Sequence, residues 1–133
     1  MEGNMRRGME TILVAEDEPA IRELVSDILD SRGYKVIAVE DGEAALRTYS
    51  QMKDAIDLVI LDMNMPKMNG AETFAKLKAI NSQVLVLLSS GSTHDAQDRE
   101  LLREGMSGFL QKPYQIGEFL EKVGAALHRA IGD

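Results

Sequence analysis

The sequence predicts a single α/β domain in which a parallel β-sheet is covered by helices on both faces, in a doubly wound (βα)5 arrangement. Short β-rich segments alternate five times with amphipathic segments along the 133 residues. Strict alternation of this kind is typical of parallel sheets with right-handed crossover connections. Three of the β-rich segments are almost wholly apolar, as expected for strands that are buried on both faces. The length of the chain suits one domain and no more.

Five segments are predicted to be strands. The first, third and fourth are the apolar ones, which favours central positions in the sheet. The second is more mixed and the fifth is short, so we expect both of them near an edge. The predicted strands are Thr11–Ala15, Tyr34–Val39, Leu58–Leu61, Val84–Ser89 and Gly108–Gln111.

Five helices are predicted from apolar residues that recur at helical spacing. The first begins at Pro19, a residue that the first turn of a helix tolerates, and it ends before Gly33, which is a stop signal. The second begins at Asp41-Gly42. The remaining three cover about Ala71–Ile80, Asp95–Glu104 and Ile116–Ala130.

The first and the last helix carry apolar residues at helical spacing. In the first helix the apolar residues are Ile21, Leu24, Val25, Ile28 and Leu29. In the last helix they are Ile116, Phe119, Leu120, Val123, Leu127 and Ile131.

The composition excludes several classes of function. The chain has 22 acidic and 15 basic residues and a net charge of −7, and it lacks the basic stripe that nucleic-acid-binding proteins normally present. It contains no cysteine, which excludes disulfides, thiolate zinc sites and a cysteine nucleophile. No apolar run approaches the roughly 18 residues of a membrane span, and Met1 to Gly8 do not form a secretory signal. We therefore expect a cytoplasmic protein without membrane insertion or direct nucleic-acid binding.

Acidic residues follow two of the predicted buried strands. Glu16 and Asp17 come directly after the first strand, and Asp62 follows the third. The carboxyl ends of the strands are where a doubly wound sheet binds its ligand, so these side chains converge if the two strands are neighbours. Each like-charge pair about 4 Å apart costs about 4 kcal/mol at an effective dielectric of 20, so a proton or a cation must neutralise the cluster. Carboxylate oxygens without His or Cys favour Mg²⁺. The alternative is a solvated acidic loop, which we favour for Glu18 alone.

The fourth and fifth predicted strands end in residues that suit a phosphoryl group. Ser89 and Ser90 end the fourth strand and offer hydroxyls, and Lys112-Pro113 ends the fifth. Lysine is a mobile point charge suited to phosphate. Acids, a hydroxyl and a lysine at four strand ends together predict a site that places a phosphoryl group on a carboxylate beside a metal.

With these motifs the sequence resembles the receiver domain of two-component response regulators, the CheY-like type. The resemblance covers about Glu10 to Ile131 and depends on ILVAEDEP (12–19), DLVILDMNMPKMNG (57–70), LLSSGS (87–92) and GFLQKPY (108–114). It implies a flavodoxin-like three-layer sandwich with strand order 2-1-3-4-5. We accordingly expect a receiver domain over residues 10–131, preceded by a flexible extension over residues 1–9.

The resemblance implies a phosphoacceptor and a metal site. Asp62 matches the aspartate that accepts a phosphoryl group from a histidine kinase or a histidine phosphotransfer protein. Glu16 and Asp17 match the acid pair that binds Mg²⁺, and Asp62 and the backbone carbonyl of Asn64 complete the protein ligands. Glu16 stands where Asp is commoner in the family, so its carboxylate lies one methylene further out and can reach the metal through water.

The resemblance also implies a conformational switch. Lys112 matches the lysine that contacts the phosphoryl oxygens, and its bond to Pro113 is typically cis in the family. Ser90 matches the hydroxyl that moves toward the phosphoryl group, and Phe109 matches the aromatic residue whose rotamer reports activation. Strand parity lets only one of the adjacent serines face the site. The 22-residue spacing to Lys112 favours Ser90, and Ser89 is the alternative.

The implied function is a phosphorylation-dependent signalling switch that catalyses only its own phosphorylation and dephosphorylation. Phosphorylation of Asp62 would bias a two-state equilibrium. The change would reach the surface of the fourth helix, the fifth strand and the fifth helix, which signals to an output protein or domain. The variants DLVILDMNMP and LLSSGS resemble receivers of hybrid sensor histidine kinases, so we expect either a stand-alone receiver or a part of such a kinase. A homodimer is compatible with both.

The first helix offers a docking face for the phosphoryl donor. Its apolar residues Ala20, Ile21 and Leu24 lie near the predicted site. We therefore expect the histidine kinase or histidine phosphotransfer protein to contact this face.

Two other functions stay open from the sequence. One is an interaction-only receiver, which binds partners without being phosphorylated, and the complete set of acids, hydroxyl and lysine argues against it. The other is a phosphatase of the haloacid-dehalogenase type, which also uses an aspartyl nucleophile and Mg²⁺. Its second aspartate would have to be Asn64, and the chain is short for that family.

Overall fold

A computed structural model of the chain, which describes residues 10–91 and 95–130, contains five strands and five helices in strict alternation. The strands are β1 (Thr11–Ala15), β2 (Lys35–Val39), β3 (Leu58–Asp62), β4 (Val86–Ser90) and β5 (Gly108–Gln111). The helices are α1 (Pro19–Asp30), α2 (Gly42–Met52), α3 (Gly70–Ile80), α4 (Asp95–Arg103) and α5 (Ile116–Ala130). All of the predicted strands and helices are therefore present.

The five strands form one sheet in the order β2-β1-β3-β4-β5. Every neighbouring pair is parallel, so the predicted fold class and strand order are confirmed. The mixed second strand and the short fifth strand lie at the two edges, as expected. In the register of the central strands Asp62 lies opposite Ser89, which brings the ends of β3 and β4 side by side.

Helices cover both faces of the sheet and form two cores. One core includes Tyr49 from α2, Phe74 from α3 and Leu101 from α4. The other includes Leu29 from α1 and Phe119 from α5. Each of these side chains is nearly inaccessible to solvent, and burial of one such side chain stabilises the fold by about 1.5–3 kcal/mol. The strands are thus fixed from both sides, and the residues at their carboxyl ends are fixed with them.

Two of the helices, α2 and α3, begin at well-formed caps. The side chain of Asp41 accepts a hydrogen bond of 2.8 Å from the backbone N–H of Ala44, which caps α2. Asn69 and Glu72 form a capping box at the start of α3, with bonds of 2.8 and 2.9 Å. Loss of a cap of this kind costs about 1 kcal/mol. These caps set where the chain turns from a strand end into the following helix.

Gly70 lets α3 begin directly beside the end of β3. A Cβ atom at this position would lie 2.5 Å from Leu88 Cδ1 and 2.7 Å from the backbone oxygen of Asp62. Real Cβ atoms do not approach other atoms this closely, because core packing is already near van der Waals contact. Only glycine therefore allows this approach of α3 to the strand that ends in Asp62.

Two apolar residues within the helical spacing of α1 and α5 lie at the surface. Leu24 is 48% exposed and Ile116 is 55% exposed, and the exposure of Leu24 is compatible with the docking face expected on α1. Leu24 is displaced by about 90° from the centre of the α1 face that buries Val25, Ile28 and Leu29. Ile116 is the first residue of α5, so no earlier turn of this helix packs against the sheet beside it.

The predicted flexible extension over residues 1–9 and the predicted apolar residue Ile131 lie outside the described residues. The flexibility of that extension therefore stays a prediction. None of the helices in the described segments combines the length and the apolar character that crossing a membrane would require.

Candidate functional site

Three acids meet at the carboxyl ends of β1 and β3. Glu16 and Asp17 follow β1, and Asp62 is the last residue of β3. Each contributes a carboxylate oxygen, and these oxygens lie within 4.8 Å of one another. Glu16 is only 2% exposed and Asp62 only 4%, whereas Asp17 is more accessible. The acids that the sequence predicts to converge do lie together, and they do so in a largely buried setting.

Lys112 bridges two of these acids from the far side of the site. Its Nζ atom lies 2.9 Å from Glu16 Oε1 and 3.2 Å from Asp62 Oδ1. The residue follows β5, so its side chain reaches past β4 to the ends of β3 and β1. One ammonium group faces three carboxylates, which leaves the site with an excess of negative charge.

This arrangement shifts the protonation of Asp62 and Lys112. Burial raises the pKa of Asp62 from its usual 3.8 to about 6. The charge of Glu16 acts in the same direction, while Lys112 and the backbone N–H of Asn64 lower the pKa of Asp62. Burial acts to lower the pKa of Lys112, but its hydrogen bond to Glu16 and the charge of Asp62 outweigh burial and raise this pKa. Lys112 therefore stays charged at neutral pH. Ionisation of Asp62 at neutral pH lowers the stability of the fold, because its pKa is raised.

Glu16 is fixed by contacts on both of its carboxylate oxygens. Oε1 accepts the bond from Lys112, and Oε2 accepts a bond of 3.2 Å from the backbone N–H of Glu18. The guanidinium of Arg22, on α1, donates a bond of 2.7 Å to the backbone carbonyl of Glu16. The side chain and the backbone of Glu16 are therefore both held in place.

The donor chemistry of the acid cluster fits a small hard cation. Its ligand atoms are all carboxylate oxygens, the type that Mg²⁺ prefers, and no imidazole or thiolate takes part. Among the side chains that the structure describes, in residues 10–91 and 96–128, this is the only group of three or more His, Cys, Asp or Glu whose ligand atoms approach so closely. The cluster could therefore bind Mg²⁺.

The two adjacent serines of β4 lie on opposite faces of the sheet, as alternation along a strand requires. Ser89 is 1% exposed, and its Oγ lies 2.5 Å from the hydroxyl of Tyr114. Ser90 is half-buried and shares the parity of Leu88, which belongs to the core beneath α2, α3 and α4. Phe109 packs against that same core. Ser90 and Phe109 thus lie on one face of the sheet, and Ser89 on the other.

The remaining predicted site residues lie at the rim of the site. Asn64 is exposed, and its backbone N–H donates a bond of 3.3 Å to Asp62 Oδ1. The peptide bond between Lys112 and Pro113 is cis. Tyr114 lies within the motif GFLQKPY, but the motif indicates no role for its side chain. Its only sequence signal is a phenol two residues after Lys112, and a contact with Ser89 cannot be read from that spacing.

The chain matches one protein family and several proteins of known name. The family model described as the response regulator receiver domain matches residues 12–124. The transcriptional regulatory protein CpxR of Escherichia coli is 32% identical over 123 residues, which cover 92% of this chain and 51% of that protein. The chemotaxis protein CheY of Bacillus subtilis is 29% identical over 118 residues, which cover 88% of this chain and 97% of that protein. The sensor kinase CckA of Brucella abortus is 31% identical over 122 residues, 92% of this chain and 13% of that protein. The chain thus spans about half the length of CpxR.

A solved structure shows the same fold. The crystal structure of a response regulator receiver domain protein from Clostridium thermocellum superposes with a TM-score of 0.86 at 26% identity. The match covers 92% of this chain and 97% of that chain. The flavodoxin-like (βα)5 architecture implied by the sequence motifs is therefore confirmed.

Proposed function

Because the chain belongs to the response regulator receiver domain family, we propose that it is a phosphorylation-dependent switch whose phosphoacceptor is Asp62. Domains of this family are signalling modules and are generally not enzymes. The observation that carries the proposal is the setting of Asp62: a buried carboxylate at a strand end, within 4.8 Å of two further acids and 3.2 Å from the ammonium group of Lys112.

The proposed reaction is the in-line transfer of a phosphoryl group to an oxygen of Asp62. The P–N bond of a donor phosphohistidine breaks while the P–O bond forms, and the released imidazole takes up a proton from solvent. Positioning and charge neutralisation do most of the work in such a transfer. With its pKa raised to about 6, Asp62 is mostly ionised at neutral pH and can act as the nucleophile. Lys112, already 3.2 Å from Asp62 Oδ1, is placed to contact the phosphoryl oxygens.

The acid cluster would hold the Mg²⁺ that this reaction requires. When bound, the ion neutralises the negative charge of the phosphoryl oxygens. Asp17, Asp62 and the backbone carbonyl of Asn64 are the proposed direct ligands. Both carboxylate oxygens of Glu16 already accept hydrogen bonds, which supports a contact from Glu16 to the ion through water.

Ser90 and Phe109 are the proposed switch residues. The hydroxyl of Ser89 is buried against Tyr114, so it is poorly placed to move toward a phosphoryl group. Ser90 and Phe109 share the face beneath α4. A change at Ser90 would then bias the rotamer of Phe109 and the surface formed by α4, β5 and α5. Leu102 and Ile116 are exposed on the two helices of this surface, where an output partner or a second copy of the chain can bind.

The proposed partners are a phosphohistidine donor and an output protein or domain. CpxR is named as a transcriptional regulatory protein and CckA as a sensor kinase, and this chain matches only part of each. The chain would act in the same way as a stand-alone receiver or within a hybrid histidine kinase. In all of these settings we propose a cytoplasmic location, where phosphohistidine donors act.

The proposal is tested by intact mass after incubation with acetyl phosphate and Mg²⁺. The wild-type chain is expected to gain one phosphoryl group, and the adduct should be lost when EDTA is present. Asp62→Asn should gain none, whereas the matched control Asp57→Asn, at the amino end of the same strand, should still be labelled. A folded wild-type chain that takes up no phosphoryl group would overturn the proposal and favour an interaction-only receiver.

A further inference from the structure

A pair of hydroxyls adjoins the site, one from the buried Ser89 and one from the partly buried Tyr114, and it takes no part in the phosphoryl transfer proposed above. Ser89 Oγ and the Tyr114 hydroxyl lie 2.5 Å apart. The ring of Tyr114 packs against Phe119 of α5, with ring centroids 5.0 Å apart. Burial raises the pKa of Tyr114, so its hydroxyl stays protonated at neutral pH. The pair is therefore a neutral hydrogen bond at the margin of the core that lies beneath α1 and α5.

The hydrogen bond joins the two segments that carry the reacting groups. Ser89 lies opposite Asp62 in the sheet register, and its carbonyl accepts a bond of 2.8 Å from the backbone N–H of Met63. Tyr114 lies two residues after Lys112 on the other segment. The bond thus connects the strand beside Asp62 to the chain that carries Lys112.

The position of the Lys112 ammonium depends on how its backbone is held, because lysine has a long and flexible stem. On the N-terminal side, the backbone N–H of Lys112 donates a bond of 2.9 Å to the carbonyl of Ser90. On the C-terminal side, the hydroxyl of Tyr114 bonds to Ser89. Both anchors lie on β4, so they fix Lys112 relative to the same strand that lies beside Asp62.

The stability of the fold does not by itself require hydroxyls at Ser89 and Tyr114. Replacing both partners of a buried hydrogen bond by apolar groups of the same shape is nearly neutral for stability. The surrounding residues Leu87, Leu110 and Phe119 are apolar and buried, so an apolar pair would fit the same layer. What the apolar pair would lack is a directional link between β4 and the segment after β5.

Building on the proposed function, we propose that the hydrogen bond between Tyr114 and Ser89 positions Lys112 against Asp62, so that Tyr114 is a positioning residue for phosphoryl acceptance. It acts through the ammonium group of Lys112, which it holds within reach of the carboxylate. It takes no part in bond making or bond breaking itself.

Tyr114→Phe removes the hydroxyl while keeping the ring, and Tyr49→Phe is the matched control. Tyr49 is buried, and its hydroxyl accepts a bond of 2.9 Å from Asn81 Nδ2 in the opposite core. With acetyl phosphate and Mg²⁺ we expect Tyr114→Phe to slow labelling of Asp62 by about tenfold, since a misplacement of about 1 Å can cost up to about a hundredfold. Tyr49→Phe should leave the labelling rate unchanged. Equal labelling rates for the wild type and Tyr114→Phe would overturn the inference.

Two further measurements separate positioning from general destabilisation. In a Lys112→Ala background, Tyr114→Phe should have no additional effect on labelling, because residues that act through one group are not additive. An undiminished effect in that background would contradict a role through Lys112. The NMR signal of the Lys112 ammonium, assigned by its absence in Lys112→Ala, gives a measure that needs no phosphorylation. It should shift or broaden in Tyr114→Phe and stay unchanged in Tyr49→Phe.

The outcomes distinguish this inference from the function it builds on. A wild-type chain that cannot be labelled would overturn the proposed function, and the positioning role with it. A labelled wild type, together with a Tyr114→Phe variant that keeps the same rate and the same Lys112 signal, would overturn the positioning role alone. Ser89→Ala combined with Tyr114→Phe should label no more slowly than Tyr114→Phe, because the two hydroxyls act as one unit.

Discussion

Lys112 donates a hydrogen bond of 2.9 Å to Glu16, and this bond joins the chain after β5 to the chain after β1 across the site. The longer side chain of glutamate brings its carboxylate to Lys112 while its backbone stays at the end of β1. Lys112 is therefore shared between Glu16 and Asp62 before any phosphoryl group is present. A phosphoryl group on Asp62 would compete with Glu16 for the same ammonium.

Removing the charge of Glu16 should lower the pKa of Asp62 and weaken the binding of Mg²⁺. The Glu16 carboxylate raises the pKa of Asp62, so Glu16→Gln should lower this pKa, as measured by ¹³C NMR titration of the Asp62 carboxyl. The cluster would also lose one of its three acids, so Mg²⁺ should bind at least about tenfold more weakly by calorimetry, a change of about 1.4 kcal/mol.

Glu16→Asp is the control, because it keeps the charge and should keep most of the Mg²⁺ affinity. If Glu16→Gln bound Mg²⁺ as tightly as the wild type, the charge of Glu16 would contribute nothing to metal binding.

Asp62→Asn should stabilise the metal-free protein at neutral pH but not at acid pH. The pKa of Asp62 is about 6 in the folded chain, above its usual 3.8. Its contribution to stability is therefore fully present below about pH 3.8 and is lost as the pH rises through about 6. A shift of about two units corresponds to on the order of 3 kcal/mol, which asparagine avoids because it stays neutral.

The measurement is urea unfolding in EDTA at about pH 4 and at about pH 7.5, on either side of the titration. Asp62→Asn should have the higher free energy of unfolding only at the higher pH. The exposed Asp54→Asn is the control and should show no such difference. A variant at Asp62 that is less stable than the wild type near neutral pH would contradict the account of a costly buried carboxylate.

Two glycine substitutions should change stability in opposite directions. At Gly70 an added Cβ would lie 2.5 Å from Leu88 Cδ1, so Gly70→Ala should destabilise the protein by about 1–3 kcal/mol through overpacking. At Gly124, within α5, an added Cβ meets nothing within 4 Å. Gly124→Ala should stabilise the protein by up to about 1 kcal/mol through helix propensity. Thermal unfolding of both variants checks this, and a neutral Gly70→Ala would mean that α3 can shift away from β3 without cost.

Charged substitutions on α1 should slow phosphoryl transfer from a protein donor but not from acetyl phosphate. Leu24 is 48% exposed and Ile21 lies beside it, half-buried, on the helix that follows the acid pair. Ile21→Glu and Leu24→Glu should slow labelling by any phosphohistidine protein that labels the wild type, because charges would enter an apolar contact. Labelling by acetyl phosphate should be unchanged. Met52→Glu places the same charge on an exposed apolar residue of α2 and serves as the control.

An unchanged rate of transfer to Ile21→Glu and Leu24→Glu would show that the donor does not contact this face. The same loss with Met52→Glu would mean that added negative charge, and not the position on α1, slows the transfer.

Much of the fold could be predicted from residue patterns because hydrophobic periodicity reports which face of a segment is buried. The apolar segments Leu58–Leu61 and Thr11–Ala15 did become central strands. Periodicity does not report which strands are neighbours, so the strand order came from the family motifs. It also does not determine how wide the buried face of a helix is, and Leu24 and Ile116 lie at the surface although they share the helical spacing of the buried residues.

The convergence of the acids could be predicted because parallel strands end at one edge of a sheet. The contacts among side chains could not. Whether Lys112 bonds to Glu16 as well as to Asp62 depends on rotamers that spacing does not determine. The pairing of Ser89 with Tyr114 joins residues 25 positions apart across a turn, and the sequence motif alone gives no sign of it.

The most direct test of the central claim is the position of the phosphoryl group itself. The chain is labelled with acetyl phosphate and Mg²⁺ and reduced with borohydride, which converts an aspartyl phosphate to homoserine, and its peptides are then mapped by mass spectrometry. We expect homoserine at position 62 and an unmodified aspartate at positions 17 and 57. A modification at another acid, or a labelled protein in which Asp62 is unchanged, would contradict the assignment of Asp62 as the phosphoacceptor.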